Sequence, residues 1–222
     1  MTKKVGVVLA GCGYLDGAEI HEAVITMLVL DRASVEVVAM APDKPQAHVV
    51  NHLTGEEAKG ETRNVLVEAA RIARGKIRDV DPMIADSLDA VIMVGGFGAA
   101  KNISSYAFEG TNGTVDAKIA ELAKRMHEQK KPIGAMCIAP MVVAKIFEKS
   151  DIHPAMTIGT DTNTARDIEA LKSRHLSCSV TDFVVDRANK IVTTPAWMLG
   201  PRISDVEKGI EKLVGEVLAL IN

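Results

Sequence analysis

Pro132-Ile-Gly-Ala-Met-Cys137-Ile-Ala-Pro140 decides how this chain is read. A short apolar run ends in small residues, one cysteine follows, and Pro140 opens a second apolar stretch with helical spacing to Phe147. Proline suits the first turn of a helix, where the leading N–H groups have no intrahelical partner. The segment therefore predicts a buried strand over Pro132–Met136, a sharp elbow at Cys137 and a helix over Pro140–Phe147. A thiol on that elbow stands at the end of a sheet with a helix N-terminus behind it. Such placement predicts a stabilised thiolate and a lowered thiol pKa. The plainer role for any cysteine is that of a small core hydrophobe, and the position between strand and helix argues against it.

Outward from the elbow, short β-branched runs alternate with amphipathic stretches, the pattern of an α/β fold with a mostly parallel sheet covered by helices on both faces. Val5–Ala10 and Leu88–Val94 are near-continuous apolar runs, as expected of strands buried on both sides. Val35–Ala41 is a further strand ended by Pro42. Thr157–Thr160 is read as a strand. Phe183–Val185 and Ile191–Thr194 form a hairpin about an Asn189-centred turn. Helices are expected over Ala18–Arg32, Thr62–Arg74 (capped by Thr62 or Glu61 and stopped at Gly75), Val115–Gln129, Thr164–Arg174 and Ile203–Leu220. No repeat or linker interrupts the sequence, and residues 1–222 read as one domain. The long connections 44–61 and 99–114 are of the kind that shapes sites.

Composition removes several classes of function. A formal net charge of -3, with basic residues only in doublets such as Lys130-Lys131, does not suit a nucleic-acid partner. Three separated cysteines form neither a disulfide framework nor a metal signature, so free thiols in a reducing cytoplasm are expected. No apolar run approaches the roughly 20 residues that span a bilayer. Leu9-Ala-Gly-Cys12 has the look of a lipoprotein cleavage site, but Val5–Ala10 falls short of a signal core of about 7–15 residues.

Ligands of open parallel sheets bind beyond the carboxyl ends of the strands. Those exits here are Gly11-Cys12-Gly13, Gly95-Gly96-Phe97-Gly98, Cys137 and Thr194-Pro195-Ala196. The glycine loop can offer backbone N–H groups to an oxyanion, together with the amide of Ile138. Glu19, in the first turn of the helix after the first strand, faces the same rim and can serve as general acid–base; Glu22, almost a turn further on, has less claim. Either acid could instead merely offset the helix dipole. Gly11-x-Gly13 lacks the third glycine of a dinucleotide fingerprint, with Asp16 in its place, and Gly55–Gly60 lacks the ending of a P-loop. Among six histidines, His21 and His52 lie near the rim, and no pair has metal-ligand spacing beside a carboxylate. No Cys-His-acid triad is legible.

Ala10-Gly-Cys-Gly13, Asp16-Gly-Ala-Glu-Ile-His-Glu22, Asn51-His-Leu-Thr-Gly55, Glu61-Thr-Arg-Asn-Val65, Gly95-Gly-Phe-Gly-Ala-Ala-Lys-Asn102, Met136-Cys-Ile-Ala-Pro140 and Val192-Thr-Thr-Pro-Ala196 together resemble the ThiJ/PfpI superfamily. These are single-domain relatives of the class I glutamine amidotransferases, and the likeness is strongest to their ElbB glyoxalase branch, which is linked to isoprenoid biosynthesis. The resemblance implies a flavodoxin-like three-layer sandwich with Cys137 as nucleophile on its elbow and Glu19 as acidic partner. It also implies a homodimer with glyoxalase (lyase) activity that needs no cofactor, metal or glutathione. On that reading the Cys137 thiolate adds to glyoxal, and possibly to methylglyoxal, as a hemithioacetal. Gly96 and Ile138 hold the oxyanion, and Gly95, Phe97, Cys12 and His21 lie about the substrate. Two departures stand out: Thr194-Pro195-Ala196 replaces the amidotransferase histidine motif, and Ile138 stands where many relatives carry histidine. Two other roles use the same residues. One is a redox-sensing or chaperone-like protein in which Cys12 resolves an oxidised Cys137. The other is an accessory protein of isoprenoid biosynthesis.

Overall fold

The computed structural model describes residues 2–222. Its elements run, in chain order, β1 (Lys4–Val8), α1 (Ile20–Arg32), β2 (Glu36–Ala41), α2 (Val65–Ile72), β3 (Ile77–Asp79), β4 (Ala90–Met93), α3 (Phe97–Lys101), α4 (Tyr106–Glu109), α5 (Ala117–Glu128), β5 (Ile133–Met136), α6 (Ala139–Phe147), β6 (Ala155–Met156), α7 (Thr162–Ala170), β7 (Arg174–His175), β8 (Val184–Asp186), β9 (Ile191–Thr194) and α8 (Ile203–Ala219). Seven strands form one sheet in the order β3-β2-β1-β4-β5-β9-β8, and β6 pairs with β7 separately. Every neighbour in the large sheet is parallel except β8, which runs antiparallel to β9 at the edge. The period-2 alternation of side chains sends Val5, Val7, Ile92 and Val192 into one core with α1, α2 and α8. Val8, Val91, Met93, Ile133 and Ala135 go into the other, with α5 and α6. The result is the mostly parallel α/β sandwich that the strand and helix pattern predicts, in the flavodoxin-like form that the resemblance implies.

The helices form for local reasons. In α5, Ile119, Leu122, Ala123 and Met126 repeat at helical spacing and are buried, while Asp116 caps the start by accepting from the N–H groups of Lys118 and Ile119. Glu19 is the cap of α1, which begins at Ile20 and not Ala18. Asn64, and neither Thr62 nor Glu61, caps α2: its side chain accepts from Val67 N–H, and the helix ends before Arg74 and Gly75, both left-handed.

Other boundaries are set by tertiary pairing. Thr157–Thr160 is not a strand. Thr157 N–H bonds to Thr193 Oγ1 at 2.8 Å and Gly159 turns left-handed, so the ladder is confined to Ala155–Met156. The helix expected to reach Arg174 stops at Ala170, because Lys172 is left-handed and Arg174 pairs with Ala155. In the β8–β9 turn, Asn189 is bound to Asp186 through both its backbone and its side-chain amide, and Lys190 is the left-handed residue.

Asn102 ties three loops together at the β1 exit. Its buried amide donates to Ala10 O and Asp16 O, both at 2.8 Å, and its carbonyl accepts from Ala47 N–H at 2.9 Å. An unsatisfied buried partner costs about 1–3 kcal/mol. Asn102→Ala should therefore lower stability by about 2–4 kcal/mol in urea titration, through a lower midpoint at an unchanged slope.

Candidate active site

The elbow is real in backbone terms. Met136 pairs with Thr194, Cys137 N–H bonds to Thr194 O at 3.1 Å, and Cys137 then takes φ 58°, a left-handed value that strains any side chain. Strain of this kind persists only where the surroundings enforce it. Here a glycine makes room: a Cβ on Gly95 would lie 2.4 Å from Cys137 Cβ and 2.7 Å from Glu22 Oε2. Gly96 is left-handed as well, and a Cβ there would fall 2.5 Å from Glu19 N. The α1 N-terminus and the β4 exit thus approach backbone to backbone.

The acid that meets the thiol is Glu22. It is fully buried; Oε2 accepts from Gly95 N–H at 2.9 Å, Oε1 accepts from Trp197 N–H at 3.3 Å, and the carboxyl lies beside Cys137, the two flanking Gly95. Burial pushes its pKa up to about 8, with the nearby Glu19 charge adding to the shift. Burial pushes the Cys137 thiol well above its ordinary value, and Glu22 pushes it further, while hydrogen bonds from the Gly96 and Ile138 amides pull the other way. The lowered thiol pKa expected from the helix N-terminus is therefore not found. At 7% exposure, desolvation outweighs the two amides and the α6 dipole. The pair holds its protons through neutral pH.

The remaining predicted residues divide into two groups. Glu19, Gly96, Phe97, Cys137 and Ile138 all line one cavity of about 460 Å³. Glu19 caps α1 through Oε2, which accepts from Glu22 N–H at 2.7 Å, and burial raises its pKa too. His21 stands at the rim, half-exposed, its Nδ1 3.6 Å from Glu19 Oε1 and its ring tilted over Trp197. Gly95 supports the site from behind, since its N–H is taken by Glu22 and is not free for an oxyanion. Cys12 is not part of the cavity wall. It lies among the charges of Glu68, Arg71 and Asp16, and burial raises its pKa, so the resolving role toward Cys137 has no support in the geometry. His52 secures the loop after β1, accepting from Leu15 N–H at 3.2 Å with its other ring nitrogen against Val50 O, and it does not reach the cavity.

Tyr14, Ala100, Tyr106, Ala107, Thr164, Trp197 and Met198 complete the wall and were not singled out from sequence. Tyr106 comes from the long 99–114 connection, its hydroxyl donating to Asp167 at 2.6 Å, and burial raises its pKa. Trp197 was the one with a signal, because it is the single tryptophan of an aromatic-poor chain and follows the β9 exit directly. Among the described residues, no group of three or more His, Cys, Asp or Glu is arranged to hold a metal ion, and no helix is long and apolar enough to cross a membrane.

Residues 7–147 match the model of the DJ-1/PfpI family. The chain is 42% identical to the rat "ES1 protein homolog, mitochondrial" over 98% of its own length and 84% of the relative's. It is also 42% identical to the human "Glutamine amidotransferase-like class 1 domain-containing protein 3, mitochondrial", over 98% of this chain and 83% of that one. A crystal structure of an isoprenoid biosynthesis protein with an amidotransferase-like domain from Ehrlichia chaffeensis superposes with a TM-score of 0.92, at 35% identity and full coverage of both chains. The expectation of a cytoplasmic protein is corrected by these relatives, since both the rat and human proteins are mitochondrial by name. Free thiols and a mild net charge fit any reducing compartment, so composition could not separate one from another.

Glu22 gives the site a signature in stability. Its folded pKa lies above that of an unfolded glutamate, so the neutral carboxyl stabilises the fold fully below pH about 4.5, and this contribution is lost as pH rises through about 8. Glu22→Gln cannot ionise and satisfies only one of the two amides. It should start less stable at pH 5 and show a flatter decline between pH 5 and 8 in urea midpoints than the wild type.

Proposed function

This chain belongs to the DJ-1/PfpI family, and on that premise we propose that it is a cofactor-independent thiol enzyme acting on small dicarbonyls, converting glyoxal to glycolate. The observation that supports this reading is the Cys137–Glu22 pair, a cysteine on strained backbone beside a buried carboxyl at the wall of a cavity.

The chemistry needs no external oxidant. Cys137 sulfur adds to one aldehyde carbon, forming an S–C bond as its proton passes through Glu22 to the aldehyde oxygen. The Gly96 and Ile138 amides, which already face the sulfur, stabilise the charge on that oxygen as it develops. Glu19 removes the C–H proton of the hemithioacetal carbon, an enediol forms, and the proton returns to the neighbouring carbon. One carbon is thereby oxidised to a thioester and the other reduced to an alcohol. Water cleaves the thioester, releasing glycolate and restoring the thiol. The high thiol pKa is compatible with this scheme because the neighbouring Glu22, once ionised as pH rises through about 8, takes the thiol proton at the moment of attack.

Glycolate release from glyoxal, without glutathione or added metal, tests the reading. Cys137→Ala should lose at least about a hundredfold in kcat/KM with an unchanged melting profile; an undiminished mutant rejects Cys137 as nucleophile. In the wild type, kcat/KM should rise with pH through an inflection near 8, as Glu22 becomes able to accept the thiol proton. Glu22→Gln should remove that inflection along with most of the rate.

A further inference from the structure

The cavity is far larger than glyoxal. A dicarbonyl of four heavy atoms displaces about three waters, roughly 90 Å³, whereas the space beside Cys137 is about 460 Å³, within the range of sites that hold drug-sized ligands. Its surface is mainly apolar, with Tyr14, Phe97, Tyr106, Ile138, Trp197 and Met198 as the large side chains and Ala100 and Ala107 as small ones between them. Phe97 is 49% exposed at the edge of this wall, with the Lys101 ammonium 5.1 Å from its ring centroid. The polar groups of this wall are few. Besides Glu19 and the Cys137 thiol they are the uncharged hydroxyls of Tyr14, Thr164 and Tyr106, the last committed to Asp167, and the indole N–H of Trp197. Among the described residues no lysine, arginine or histidine lines this cavity; Lys101, bound to Leu15 O over the Phe97 ring, and His21 stand only at its edge, so the interior offers a phosphate or carboxylate tail no counter-charge.

We propose that this cavity takes an aryl-substituted 2-oxoaldehyde, with the dicarbonyl end at Cys137 and the ring against the aromatic and aliphatic wall. The inference rests on the dicarbonyl reading of Cys137 and extends it to substrate class. An aromatic ring fits the wall better than a flexible chain, since ring-to-ring contacts add to burial and a rigid group loses little freedom on binding. The reaction balances as before. Sulfur adds to the aldehyde carbon, the proton on that carbon moves to the former ketone carbon, and water cleaves the thioester to give the 2-hydroxy-2-aryl acid and the free thiol.

Phenylglyoxal and glyoxal, assayed side by side on the whole protein, decide the matter. Phenylglyoxal should show a kcat/KM at least tenfold higher, equivalent to about 1.4 kcal/mol, and Ala107→Phe should cut the phenylglyoxal-to-glyoxal ratio at least fivefold. Binding is read separately in Cys137→Ala protein from the emission of Trp197, the single tryptophan. Acetophenone should quench it saturably, whereas acetone should give only linear, collisional quenching. Glyoxal turnover without preference for the aryl substrate overturns the aryl pocket and leaves the dicarbonyl chemistry standing. Saturable acetophenone binding without turnover of either aldehyde overturns the chemistry and supports the aryl pocket. Indistinguishable quenching by the two ketones overturns the pocket whatever the rates.

Discussion

A single buried carboxyl group holds the working end of this molecule together. Glu22 projects from α1, accepts from the amide after β4 and the amide after β9, and lies beside the thiol after β5, so four elements meet at one carboxyl group. Each of those amides would otherwise be an unsatisfied donor in a dry interior. Burying a carboxylate among apolar neighbours is unfavourable, and the protein resolves the conflict by keeping the group protonated near neutrality. The same proton makes Glu22 a structural tie and a chemical partner at once. The close approach at Gly95 follows from it, because a side chain there would collide with both the carboxyl and the cysteine.

Much of this was legible in the chain, and the legible parts share a cause. Strands buried on both faces announce themselves as unbroken apolar runs, and β1, β4 and β5 were readable from Val5, Leu88 and Pro132 onward. The elbow was readable because small residues, a cysteine and a proline must fall in that order for the turn to work. The misread elements are short or depend on partners distant in sequence. β6 and β7 have two residues each and exist only because Ala155 and Arg174 meet, and β3 is a three-residue edge strand that leaves no periodic trace. Cap choice at α2 depended on which side chain could reach Val67, and Asn64 sits closer than the residues first considered.

Within the site, the placement of the two acids relative to the thiol is instructive. Glu19 and Glu22 differ by less than one helical turn, and sequence position favoured the one nearer the helix start. A cap residue, however, bends its carboxyl back onto its own helix, as Glu19 does onto Glu22 N–H. The residue three positions later points inward, toward the sheet exits. The thiol pKa was misjudged for a related reason: helix dipoles and amides are visible in a sequence pattern, whereas depth of burial is a property of everything packed around the sulfur.

The left-handed backbone at Cys137 has a consequence for the chain's life before it is folded. The elbow is imposed by β4 and β9, by Gly95 and by Glu22, which lie tens to more than a hundred residues away in sequence. Contacts of such long range form late, because loop closure must precede them. Until then Cys137 sits in an ordinary solvated segment, where its thiol ionises and oxidises as any free cysteine does. Once the sheet closes, desolvation suppresses the thiolate. Native packing thus lowers the share of thiolate at this sulfur relative to the unfolded chain.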